Sequence, residues 1–224
     1  MENTTLIGLS NNKGQLIGKV APETTLEFES NGEKFYEFKL IVSRLSETVD
    51  TLPVTISQNL LQSSNIELKP GIKLALKGEF RSRNKQEDGK SHLILNFFAK
   101  DILSEKDLDE HDCNKICLTG YICKTPIYRV TPFERQICDI LLAVNRPNYN
   151  KSDYLPCIVW GRNAKFMGAM PVGTKVYVEG RIQSRNYVKQ NQDGESLNKT
   201  AYEISVYKCK LESEVENLSH EEEA

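Results

Sequence analysis

Apolar and polar residues alternate along most of this chain in short runs of period two, which predicts half-buried β-strands. In DTLPVTIS (50–57) the residues Leu52, Val54 and Ile56 share one face, and in DYLPCIVW (153–160) Leu155, Cys157 and Val159 take the same places. IKLALKGEFRSRNK turns Ile72, Leu74, Leu76 and Phe80 inward, and TKVYVEGRIQSRNY turns Val176, Val178 and Ile182 inward. Polar, Gly-containing clusters such as ESNGEK, QEDG and NQDG separate these runs and predict turns. The longest apolar run, ILLAV (140–144), is far too short to span a bilayer, and no basic-then-apolar leader opens the chain.

The pattern occurs twice. QLIGKV (15–20) matches CLTGYI (117–122), and FYEFKLIVSR (35–44) matches ICDILLAVNR (137–146). PGIKLALKGEFRSRN (70–84) matches VGTKVYVEGRIQSRN (172–186), with Gly78 and Gly180 in register, as are Arg44 and Arg146. Between the third and fourth strands of each copy lies a short helical segment, SQNLLQSSNIEL or GRNAKFMGAM. Five strands with one helix in roughly 100 residues predict an all-β chain of two tandem OB-fold barrels. A β-sandwich is the alternative and explains the helical insertion less well. The expected organisation is a first barrel over 1–102, an acidic linker over 103–112, a second barrel over 113–211 and an acidic tail over 212–224.

Charge refines this picture. The net charge is −2, but eleven of the 31 acidic residues and only one of the 29 Lys and Arg lie in the linker and tail, leaving a basic body. Such a body suits a polyanion partner. The six cysteines all fall in the second half without a disulfide-scaffold pattern, so we expect reduced thiols and a cytoplasmic, soluble protein.

The outward parity then separates the copies. The second presents Tyr154, Pro156, Ile158 and Trp160 where the first has Thr51, Pro53, Thr55 and Ser57. Its hairpin presents Tyr177, Arg181, Arg185 and Tyr187, against Lys73, Lys77, Arg81, Arg83 and Lys85 in an aromatic-poor first copy. Cations interleaved with exposed rings are what unpaired nucleic acid requires, because cations neutralise phosphates while flat rings stack on bases. The same rings would also serve a subunit interface.

The stretches LTGYICKTPIYRVTP, LLAVNR, YLPCIVWGRNAKF and VGTKVYVEGRIQSRNY together resemble the bacterial single-stranded DNA-binding protein family. The resemblance implies a non-enzymatic protein that protects single-stranded DNA in replication, repair or recombination. It carries the family's stacking positions to Tyr154, Trp160 and Tyr187, with Tyr149 in a loop of different length. It also implies a homodimer of four barrels, as in members with two barrels per chain. The ending HEEEA lacks the family's hydrophobic tip, so recruitment of replication or repair proteins by that route is not expected. An OB-fold protein-interaction module of the primosomal accessory type is the alternative function. His92, His111 and His220 lie in unrelated segments, and His111 with Cys113 and Cys117 lacks a second ligand pair. No cofactor, metal or catalytic residue is therefore expected.

Overall fold

The computed structural model describes residues 11–23, 26–44, 46, 48–87, 89–103, 112–147, 150–190 and 196–212. The first barrel consists of β1 (Asn12–Val20), β2 (Leu26–Ser30), β3 (Glu33–Ser43), β4 (Val49–Ser57), α1 (Gln58–Ser63), β5 (Lys73–Glu87) and β6 (Lys90–Ile102). The second repeats it with β7 (Cys113–Ile122), β8 (Ile127–Val130), β9 (Gln136–Asn145), β10 (Ser152–Trp160), α2 (Arg162–Gly168), β11 (Lys175–Gln190) and β12 (Ser196–Leu211). Each barrel thus has the expected five strands and helix plus one short strand, β2 or β8. β2 joins β3 through the two-residue turn Asn31-Gly32, both at positive φ, the geometry a tight hairpin demands.

Closure follows the same plan twice. β1 pairs with both β5 and β3, and β4 runs parallel to β6 through Val54↔Phe97 and Thr55↔Phe98. β7 likewise pairs with β11 and β9, and β10 runs parallel to β12 through Cys157↔Ile204, Ile158↔Ser205 and Val159↔Val206. The paired glycines mark where the long hairpins bend. The register shifts at Gly78 and at Gly180, where a Cβ would collide with the carbonyl oxygens of Phe98 and Ser205.

The inward parity is the one the sequence predicts. Leu52, Val54, Ile56, Leu155, Cys157 and Val159 are buried, as are Leu74, Leu76, Phe80, Val176, Val178 and Ile182. Only Ile72 of the expected inner set is partly exposed, packing at the margin of the core.

The barrels are joined edge to edge. β1 and β7 pair antiparallel from Asn12↔Leu118 to Ile17↔Cys113, so all twelve strands form one sheet. The opening strand of each barrel, otherwise an exposed edge, is covered by its counterpart.

Candidate nucleic-acid interface

β10 supplies the first part of the site. Its buried residues alternate with Tyr154, Pro156, Ile158 and Trp160; Tyr154 is 45% exposed and Trp160 36%. The Trp160 indole N–H donates to Ser205 Oγ of β12 at 3.0 Å, which anchors the ring by its polar edge. Gly161, with φ 61°, turns the chain directly into α2. Beside the indole, Arg135 and Arg162 help line an open cavity of about 460 Å³. Neither arginine lies on a strand, Arg135 preceding β9 and Arg162 opening α2, so strand parity does not single them out. Tyr187 is 38% exposed on the outer half of β11, paired in register with Lys199 of β12.

The remaining candidates divide by position. Arg83, Lys85 and Arg185 are exposed on the outer halves of β5 and β11, Arg83 meeting Glu37 at 3.3 Å and Arg185 meeting Glu203 at 3.7 Å. Arg81 is more enclosed, with a bond to Glu79 at 2.9 Å and its guanidinium 3.9 Å over the Phe98 ring. Lys73 and Lys77 lie near the start of β5, Lys73 within 3.7 Å of Asp112 and Lys77 beside Lys13, Lys100 and Lys115 on a cavity of about 350 Å³. Tyr177 lies ten residues before Tyr187 on β11, roughly 33 Å along an extended strand, and is not brought together with it. Burial raises the Tyr177 phenol well above its ordinary range, with Cys117 and Glu179 adding to the shift. Tyr149 lies outside the described residues, as do 104–111 of the acidic linker and 213–224 of the tail.

Arg181 belongs to a junction between the barrels that strand parity does not disclose. Buried Asp50 of β4 accepts from Arg44 Nε at 2.8 Å and Nη2 at 2.6 Å, from the Ser184 amide of the other barrel at 2.9 Å, and from Arg181 Nη1 at 3.1 Å. Burial lowers the Arg181 pKa, and the neighbouring Arg44 charge lowers it further. The opposite junction repeats the plan: buried Asp153 accepts from Arg146 Nε at 2.9 Å and from the Ser82 amide at 2.6 Å. The Tyr154 amide in turn donates to Ser82 Oγ at 2.7 Å, so the first barrel's hairpin fixes the backbone that carries Tyr154.

The first barrel also carries rings away from Thr51, Ser57 and Lys85. Phe28 and Phe35 stack with centroids 5.5 Å apart, and Phe35 lies 6.0 Å from Phe98. They come from β2, β3 and β6, whereas the stacking positions expected from the sequence lie on β4 and β5 alone.

Comparison with known proteins bears on what these surfaces are for. Residues 113–211 match the Single-strand binding protein family. A single-stranded DNA-binding protein of Oceanobacillus iheyensis is 34% identical over 90 residues, which cover 38% of this chain and 55% of that protein. Single-stranded DNA-binding protein A of Bacillus subtilis is 35% identical over 90 residues, covering 38% of this chain and 51% of the relative. The chain therefore spans about half the length of the curated relatives it matches. The wild-type single-stranded DNA binding protein from Thermus aquaticus superposes with a TM-score of 0.68 at 17% identity, covering 89% of this chain and 92% of that one. That likeness extends across both barrels and shows the tandem OB fold, while the sequence match to the single-strand binding protein family covers the second barrel, residues 113–211.

Proposed function

We propose that this chain binds single-stranded DNA without catalysing a reaction on it, and protects it during replication, repair or recombination. Bases stack on Tyr154, Trp160 and Tyr187, while Arg83, Lys85 and Arg185 neutralise phosphates. The observation that carries this reading is the outward face of β10, where Tyr154 and Trp160 stand exposed, Trp160 beside Arg135 and Arg162, on a strand whose other face is closed core. Arg181 acts through the junction, holding Asp50 and with it the position of one barrel against the other. The working units are the two barrels, 1–102 and 113–211, joined by the acidic segment 103–112 and followed by the acidic segment 212–224.

The second half of the proposal is a homodimer presenting four barrels. The sheet face over the β1–β7 seam carries exposed Tyr121 and Tyr207 beside half-buried Tyr177, and aromatics of this kind favour subunit contact. Tyr177, Lys73 and Lys77 are then assigned to that face and not to the DNA path.

Trp160 is the only tryptophan, so its fluorescence reports one site. Titration with an oligo-dT should quench it, and added salt should weaken the binding. Equal or tighter binding of duplex of the same length would refute the reading.

A further inference from the structure

The equivalence between the barrels places one ring on a different strand in each. In the second, Trp160 of β10 rests against the small Ser205 of β12. The registers Thr55↔Phe98 and Ile158↔Ser205 make Phe98 the counterpart of Ser205, and Ser57 the counterpart of Trp160. The large and small residues have exchanged strands, about 4.8 Å apart. The outer face of the first barrel therefore keeps an aromatic at nearly the same place, extended by Phe35 and by Phe28, which is 39% exposed.

Phe28 and Phe98 border a crevice of about 600 Å³, within the range of small-ligand sites. Arg81, Arg83 and Arg146 also line it, the last contributed by the second barrel. Ser82 lines it too, and its hydroxyl accepts the Tyr154 amide, so the crevice adjoins the start of the second barrel's ring-bearing strand. Glu37, the acid that would repel a phosphate there, is held by Arg83, and Glu27 by Lys34 at 3.0 Å.

We propose that this crevice is a nucleobase-stacking site of the first barrel, taking an unpaired base against Phe28 and Phe98 with Arg83 on its phosphate, so that one strand runs from Tyr154 across the junction into the first barrel. This rests on the single-stranded DNA reading above. It also revises the division of labour expected from the sequence, in which the first barrel acts on phosphates alone.

The test uses the full chain and two oligo-dT lengths: one of about 10 nucleotides, filling one barrel, and one of about 30, spanning both. The double variant Phe28→Ala with Phe98→Ala should bind the long oligonucleotide about tenfold more weakly at unchanged salt slope. Its Trp160 quenching by the short one should match the native chain, and Phe98→Tyr should bind like the native chain. Phe28→Ala alone, on the short outer strand, should give part of the loss if the double variant folds poorly. Irradiation of bromouracil-substituted long oligonucleotide should crosslink to Phe28 or Phe98. Unchanged long-oligonucleotide affinity in the folded variants, or crosslinks confined to the second barrel, would overturn the site while leaving the general reading intact. A native chain whose Trp160 responds to neither length would overturn both.

Discussion

Asp50 and Asp153 each hold an arginine of their own barrel and a backbone amide of the other, and both carboxylates are buried. Removing either side chain leaves a buried amide and a guanidinium without their acceptor. Asp50→Ala and Asp153→Ala should therefore each lower stability by about 2–3 kcal/mol, read from urea unfolding. Neither role was legible in the sequence. The aspartates stand in the matching stretches DTLP and DYLP, but their partners Ser184 and Ser82 lie in the opposite barrel, a distance that periodicity does not carry. The inward cysteines were legible, because strand parity alone places Cys157 inside. Burial raises its thiol well above the usual range, with Glu203 adding to the effect, and burial also raises Cys138. In the native protein at pH 8, iodoacetamide should leave both unmodified until the chain is unfolded, as mass spectrometry would show.

At the scale of strands, alternation was a sufficient guide wherever one face is buried and failed where neither is. β8 is exposed at all four positions, and β2 is only five residues long, so neither gives a period-two signal. The long hairpins were legible in full, but parity does not say which of their outward cations already have partners. Arg81 lies against Glu79 and Phe98, whereas Arg83 extends further into solvent. Arg83→Ala combined with Lys85→Ala should flatten the salt dependence of oligo-dT binding by about one to two units in the logarithmic slope. Tyr187→Ala should instead cost about 1–3 kcal/mol in affinity and leave that slope unchanged. β11 and β12 are also tied at their bulge by Glu179 and Lys208 at 2.6 Å, and this bond holds the Glu179 carboxyl below its ordinary range. A lowered carboxylate contributes stability above its unfolded pKa and loses it as pH falls through the folded one. Glu179→Gln should thus cost up to about 1 kcal/mol at pH 7 and progressively less as the pH is lowered into the acid range, measured by denaturation along that series.

At the scale of the molecule, the repeat predicted two barrels but not how they meet. Each opening strand carries its own barrel's pattern, and nothing in QLIGKV or CLTGYI announces that β1 and β7 will pair with each other. The homodimer is tested at this scale: sedimentation at tens of micromolar, an order of magnitude above usual oligomer affinities, should give twice the chain mass. The β1–β7 seam also makes the covalent link between the barrels a matter of effective concentration more than of architecture. A chain cut at a protease site engineered between Leu103 and Asp112 should still migrate as one particle, its halves held by the seam and the two aspartate junctions. In that sense the protein is a heterodimer translated as a single chain, and its halves, made separately, should find one another.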